Sequence, residues 1–177
     1  MGYLPGDKKH SKNIEQIIRV NHAGEYGAKR IYQGQLDVLK DDSDQALLKH
    51  MAEQEEEHLG YFTKEMQQRR IRPTLLMPIW HILGYALGAC TAKLGKNSAM
   101  IATEAVEEVI DKHYQEQLKT LETEKDLAEN IEKFRLEEVE HHDIAKKNMT
   151  KLNLGHKLLY NFIKLGCKLS IAITKKI

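Results

Sequence analysis

Cysteine, proline and net charge are all scarce in this chain, and each shortage removes a class of protein. Two cysteines occur in 177 residues, Cys90 and Cys167. Each sits in an apolar stretch without a Cys-x-x-Cys neighbour, which excludes a disulfide framework and a zinc ribbon and makes a reducing compartment the expectation. Only three prolines interrupt the chain, so long helices are permitted. With 27 basic residues against 26 acidic, a formal charge of +1 gives no basis for a nucleic-acid partner. No Gly-x-Gly-x-x-Gly occurs, which excludes a dinucleotide-binding Rossmann turn. Met1 to His10 holds no apolar export signal, and Met1-Gly2 lacks the Ser or Thr at position six that myristoylation requires.

What the chain does have is helical periodicity. At 41% hydrophobic residues it is long enough for one substantial core and one domain. Ser11 is placed to cap a first helix running to Lys40, and Asp41, Asp42 and Ser43 break it and start a second that runs to Arg70. Leu75 to Ala92 forms a third. After the break at Gly95 to Ser98, further helices are expected over Ala99 to Leu121, Lys125 to Lys151 and Leu154 to Lys175. No segment reads as a strand.

Two Glu-x-x-His units, Glu55/His58 and Glu138/His141, stand 30 and 31 residues after two further glutamates, Glu25 and Glu107. Residues three apart share a helix face, so each Glu and its His can address one centre. Carboxylate oxygen with imidazole nitrogen suits iron or manganese. The motif by itself is weak, since this composition yields roughly one such unit by chance.

Position gives it weight. Glu55 continues the apolar stripe of Leu48, Met51, Leu59, Phe62 and Met66, and Glu138 that of Leu127, Ile131, Phe134, Ala145 and Met149. Glu25 lies in phase with Ile14, Ile18, Ala28, Tyr32 and Leu39, and Glu107 with Thr103, Ile110, Tyr114, Leu118 and Leu121. Four glutamates therefore interrupt four apolar faces, with no Lys or Arg in those stripes to pair them, and buried carboxylates need a cation. Glu53, Glu56, Glu57, Glu108, Glu137 and Glu140 fall beside the stripes, as solvated flanks or neighbours of the ligands. His142 is off the Glu-x-x-His register that selects His141. His113 and Tyr114, one turn and more past Glu107, are candidate proton or electron relays. A core aromatic with a satisfied hydroxyl is an equally simple account of Tyr114.

Tyr32 follows Glu25 by seven residues, as Tyr114 follows Glu107. The order of chemical residues in 11–70 thus recurs in 97–151, which predicts an all-α fold: a ferritin-like four-helix bundle with a di-metal core, made of two hairpins joined by an apolar crossover helix and followed by an amphipathic C-terminal helix.

Two segments point toward lipid. Leu75 to Ala92 is uncharged, yet Pro78, His81, Gly84 and Gly88 and its length weaken it as a membrane span. Arg69, Arg70, Arg72 and Lys93 at its flanks, with Trp80 and Tyr85 inside, suit a helix lying at the headgroup boundary. In the last helix Leu158, Phe162, Leu165, Leu169 and Ile173 form a stripe beside Lys157, Lys164, Lys168 and Lys175. Alone, each segment also fits an ordinary bundle helix; together, 73–95 and 154–175 favour attachment to one face of a membrane.

The runs Arg19-Val20-Asn21-His22-Ala23-Gly24-Glu25-Tyr26-Gly27-Ala28, Arg72-Pro73 through Pro78-Ile79-Trp80, Ala105-Val106-Glu107-Glu108 with His113-Tyr114, and Glu137-Glu138-Val139-Glu140-His141-His142-Asp143 together resemble the demethoxyubiquinone hydroxylase family, the di-iron monooxygenases of ubiquinone biosynthesis. The similarity extends from about Ser11 to Leu169. It implies two irons, one held by Glu25, Glu55 and His58 with Glu107 shared, the other by Glu107, Glu138 and His141 with Glu55 shared. It further implies O2-dependent hydroxylation of the ring of a polyprenylated benzoquinone, electrons derived from NADH, a membrane surface, and contact with other ubiquinone-biosynthesis proteins. Eukaryotic members carry a mitochondrial transit peptide that is missing here. The expectation is accordingly a bacterial protein, peripheral on the cytoplasmic face of the inner membrane, or a processed mitochondrial form on the matrix side. Two other readings use the same residues: a ferritin-like oxidase or peroxidase acting on iron or peroxide, and a metal-free membrane adaptor whose glutamates pair with a partner's cations.

Overall fold

Ser11 starts the first helix as its position predicts, its hydroxyl accepting a hydrogen bond from the Ile14 N–H at 3.3 Å. The computed structural model describes residues 11–150 and 152–177. Met1 to His10, to which the expectation of no export signal refers, and Lys151, the expected end of the fifth helix, lie outside them. Six helices follow in order: α1 (Lys12–Val38), α2 (Asp42–Arg69), α3 (Met77–Lys93), α4 (Lys96–Leu118), α5 (Lys125–Lys147) and α6 (Leu154–Thr174), with no strand among the described residues. Asp41 caps α2 by accepting from Ser43 N–H, and the Asn153 side chain caps α6 in a reciprocal box with His156. Helix α4 begins three residues before the expected Ala99, because Gly95 takes a φ of 106° that turns the chain directly into it.

α1 pairs with α2 and α4 with α5, while α3 lies along α1 and touches α4, and α6 lies on α4. The apolar stripes face inward: Ile18, Leu48, Phe62, Met100, Ile131 and Tyr114 are all buried. Two apolar clusters flank the ligand helices' glutamates, one around Ile18, Phe62 and Phe134, the other around Leu48, Met51 and Met100, while a third around Ile31, Ala102 and Ile163 lies where α6 packs. On each ligand helix the glutamate stands in sequence between residues of these clusters, so the polar centre is enclosed from both ends. The glycines of α3 serve packing. A Cβ at Gly84 would stand 2.7 Å from the Gly27 carbonyl oxygen, so α1 and α3 meet backbone to backbone.

The last two apolar stripes face the other way. On α3, Ile79, Ile82 and Leu83 are exposed, and α6 turns Leu158, Phe162, Leu165, Leu169 and Ile173 to the outside while burying only Ile163 and Thr174. An ordinary bundle helix hides such a stripe. No helix among the described residues is long and apolar enough to cross a membrane. One lysine departs from the solvent-facing line expected of α6: Lys164 turns inward and binds Glu108 of α4 at 2.7 Å, beside the Tyr160 hydroxyl on the same carboxylate.

Candidate metal centre

The four glutamates and two histidines, drawn from α1, α2, α4 and α5, converge. Each is at most 3% exposed, and His58, His141 and Glu55 are fully enclosed. They form two groups that can hold a metal ion, Glu25, Glu55, His58 and Glu138 in one and Glu55, Glu107, Glu138 and His141 in the other, with the ligand atoms of each group within 4.8 Å of one another.

The sharing differs from the expected one. Glu138 reaches both histidines, 3.3 Å from His58 Nδ1 and 3.2 Å from His141 Nδ1, and Glu55 does the same at 3.9 and 3.4 Å. Glu107 belongs only to the second group, because Tyr32 donates to its Oε1 at 2.8 Å and holds it to that side. The repeat explains the pattern. Each Glu-x-x-His glutamate lies between the two groups, while the upstream glutamates, Glu25 and Glu107, occupy equivalent outer places.

Both histidines point Nδ1 at the centre and are anchored through Nε2, His58 to Glu137 Oε2 at 2.7 Å and His141 to Gln54 Oε1 at 2.8 Å. Each anchor is the residue just before the Glu-x-x-His unit of the opposite half. The tyrosines cross over too: Tyr114 donates to Glu25 as Tyr32 does to Glu107. An anchoring partner on the outer nitrogen leaves the inner one as the electron-pair donor, which is how metal-ligating imidazoles are oriented.

The electrostatics call for positive charge. Burial, reinforced by the charges of the other glutamates, pushes the Glu55 and Glu107 carboxyls well above the usual carboxylate range. Burial also opposes ionisation of Glu138 and His58, yet the close approach of both imidazoles to Glu138 and of Glu25 to His58 outweighs it, taking Glu138 down to about 2 and His58 up to about 12. Tyr32 and Tyr114 are pushed up, first by burial and then by the nearby carboxylates. Both oxygens of Glu55, one each of Glu107 and Glu138, and Nδ1 of both histidines are buried without a hydrogen-bond partner. Orphaned acceptors of this kind are costly unless something binds them. Four carboxylates also balance two divalent cations, so the donor set, its charge and its unpartnered atoms fit a metal pair.

His113 is not at the centre: its Nε2 meets Gln117 at 2.7 Å, and Gln117 exchanges hydrogen bonds with Asn21. Burial, with the charge of Lys175, lowers its pKa to about 4. His142 faces Glu104 and Asp143 instead. Sequence reasoning missed Gln54, whose only signal is its place opposite Glu137 in the repeat.

Beside the centre, between α1, α3, α4 and α6, lies an apolar cavity of about 380 Å³, bounded by Gly24, Gly27, Trp80, Ile110, Phe162 and Cys167 among others. Gly24 adjoins Glu25 in the chain and Val106 of its wall adjoins Glu107, while burial, with the charge of Glu107, raises the Cys167 thiol to about 12.

Comparison with known proteins gives the same centre a family. The chain is 46% identical over 176 residues to the 3-demethoxyubiquinol 3-hydroxylase of Rhodospirillum rubrum, covering 98% of this chain and 83% of that protein. It is 46% identical, over 97% of its length and 81% of the relative's, to the mitochondrial NADPH-dependent 3-demethoxyubiquinone 3-hydroxylase of Bos taurus. With the mitochondrial 5-demethoxyubiquinone hydroxylase of Saccharomyces cerevisiae it shares 35% identity, over 93% of this chain and 78% of the other. The nicotinamide in the bovine name is NADPH, not the NADH expected above. The family model described as ubiquinone biosynthesis protein COQ7 matches residues 12–174, almost the whole described structure, and the chain belongs to that family.

Proposed function

We propose that this protein hydroxylates the ring of a polyprenylated, singly methoxylated benzoquinone, using O2 and a pair of irons held by Glu25, Glu55, His58, Glu107, Glu138 and His141. The observation that carries the reading is the enclosed cluster of unpartnered carboxylate and imidazole atoms lying beside an apolar cavity. The relatives' names supply the reaction: a hydroxylase of demethoxyubiquinone or demethoxyubiquinol. When bound, the irons supply the electron storage that O2 activation requires.

The chain's own residues set the conditions. Glu55 and Glu138, which belong to both candidate groups, would hold both metal ions. Glu137 and Gln54 lock the imidazoles, and the tyrosine hydroxyls hold the outer carboxylates in place. Tyr114, hydrogen-bonded to Glu25, is also placed to pass a proton at that carboxylate oxygen. His113 serves only through the Gln117–Asn21 chain. The cavity takes the quinone and excludes water from the ring. Electrons come from a reduced nicotinamide through a partner or a transient site, since the sequence holds no Rossmann turn.

The exposed stripes of α3 and α6 seat the protein on a lipid surface, where a long-tailed quinone resides. This is the inner membrane, on its cytoplasmic face in a bacterium or its matrix face in a mitochondrion. An iron oxidase or peroxidase has no use for those stripes or that cavity, and a metal-free adaptor has no use for the orphaned ligand atoms. The test is genetic and chemical. In a strain deleted for the gene, the singly methoxylated quinone should accumulate, and the native gene should restore ubiquinone while Glu138→Ala does not. Normal ubiquinone in the deletion strain would refute the reading.

A further inference from the structure

Gly24 and Gly27 stand in the middle of α1, where glycine costs about 1 kcal/mol relative to alanine in helix propensity. At three other helical glycines packing explains such a cost, although Gly60 and Gly166 are as open as Gly24 and Gly27. At Gly34, Gly84 and Gly88 an added Cβ would strike the backbone of the facing helix. At Gly24 and Gly27 an added Cβ would meet nothing within 4 Å. Neither position has a positive φ. Protein packing and backbone conformation therefore both allow a side chain that the sequence withholds.

Both glycines border the apolar cavity, opposite Trp80 of α3 and Phe162 and Cys167 of α6. Gly24 is the residue before Glu25. A further observation ties this wall to chemistry: Glu107, whose Oε2 is buried without a partner, lies close enough to Cys167 on the cavity wall for its charge to act on the thiol. The space left by the missing side chains thus opens into an apolar cavity whose wall includes the chain neighbours of Glu25 and Glu107.

We propose that Gly24 and Gly27 are specificity-determining residues. Their bare backbone forms the floor of a slot in which a flat, substituted quinone ring lies against α1 beside Glu25, and a methyl group at either position narrows the slot and rejects the ring. The isoprenoid tail, being flexible, runs away between α3 and α6 and is indifferent to these positions. The proposal rests on the quinone reading above and adds to it where the ring lies.

Trp80 is the only tryptophan of the chain and borders the cavity, so its fluorescence reports occupancy without any turnover. The metal-loaded native protein is titrated with a short-tailed 6-methoxy-3-methyl-1,4-benzoquinone, and separately with the matching isoprenoid alcohol, which has a tail and no ring. The same is done for Gly24→Ala, Gly27→Ala and, as a control, Gly60→Ala, an exposed α2 glycine whose Cβ would also meet nothing. All three substitutions should raise the melting temperature, by roughly 2 to 4 °C. Gly24→Ala and Gly27→Ala should weaken quinone binding tenfold or more and leave the alcohol's affinity and the metal content unchanged; Gly60→Ala should change neither ligand.

Native quinone affinity in both cavity variants would overturn the proposal while leaving the quinone reading intact. So would an equal loss for the alcohol, or a fall in melting temperature, which would assign the glycines to the tail or to packing. No saturable quenching of the native protein by the quinone would instead sink the quinone reading itself, and the proposal with it.

Discussion

In the half of the centre built by α1 and α2, the residue before the Glu-x-x-His unit is Gln54; in the half built by α4 and α5 it is Glu137. Each reaches across to the other half's histidine, so His58 is anchored by a carboxylate and His141 by a neutral amide. Otherwise the halves match: outer glutamate, tyrosine seven residues on, a glutamate common to both groups, histidine three residues later. The comparison teaches that a duplicated scaffold can hold two metal positions in one geometry and still make them chemically unequal, because a carboxylate partner raises the basicity of its imidazole more than an amide does.

The largest effect should come from breaking what the halves share. Glu55→Ala or Glu138→Ala removes a ligand common to both positions, so elemental analysis of the purified variant should find almost none of the about two irons per chain expected for a di-iron carboxylate bundle. Glu25→Ala or Glu107→Ala removes an outer ligand and should retain about half the metal. The next contrast concerns the anchors. Glu137→Gln should weaken the position at His58 by roughly 10- to 100-fold and leave the other alone, and Gln54→Glu should tighten the position at His141. Chelator competition, read as two steps, measures both, and the variant that makes the anchors alike should bring the steps together. Tyr32→Phe and Tyr114→Phe each strip one hydrogen bond from an outer glutamate, and urea unfolding should show similar losses of about 1 to 3 kcal/mol in the two halves.

A further contrast lies where the halves differ outside the centre. Before its tyrosine the first half has Ile31 and the second has His113. With a folded pKa of about 4 against 6.5 as the ordinary value, His113 resists protonation in the folded state. The stability it contributes is complete above pH 6.5 and is lost as pH falls toward 4, on the order of 3 kcal/mol in all. Urea unfolding at pH 7 and pH 5 should therefore show a smaller drop for His113→Gln than for the native protein.

The buried cluster was legible because burial leaves a periodic mark: a glutamate in phase with Ile18 and Tyr32, or with Met51 and Phe62, is enclosed whatever the packing partner. How the six residues divide between two positions was not legible. Sharing depends on how α2 and α5 face each other and on the crossed tyrosines, neither of which leaves a trace along one helix. Gln54 was silent for the same reason. Taken alone the stripe of α6 could face either way, since periodicity does not say which side of an amphipathic helix meets the bundle, and only with the uncharged third helix did it favour an outward, lipid-facing side. Lys164 shows the cost of that ambiguity: a charge reversal there would break the bond to Glu108 that docks α6 on α4, so vesicle binding is better tested at exposed Lys157 and Lys168. Reversing those two should weaken co-sedimentation with anionic vesicles by roughly 1 kcal/mol per charge.

The central claim is that Glu55 and Glu138 together span two metal positions. Anomalous diffraction at the iron edge, from crystals of iron-replete native protein, tests it directly. The account predicts two peaks roughly 3.5 to 4 Å apart, one next to Glu25 and His58, the other next to Glu107 and His141, both within coordinating distance of Glu55 and Glu138. A single peak, or a pair bridged by Glu107 in place of Glu138, would contradict it.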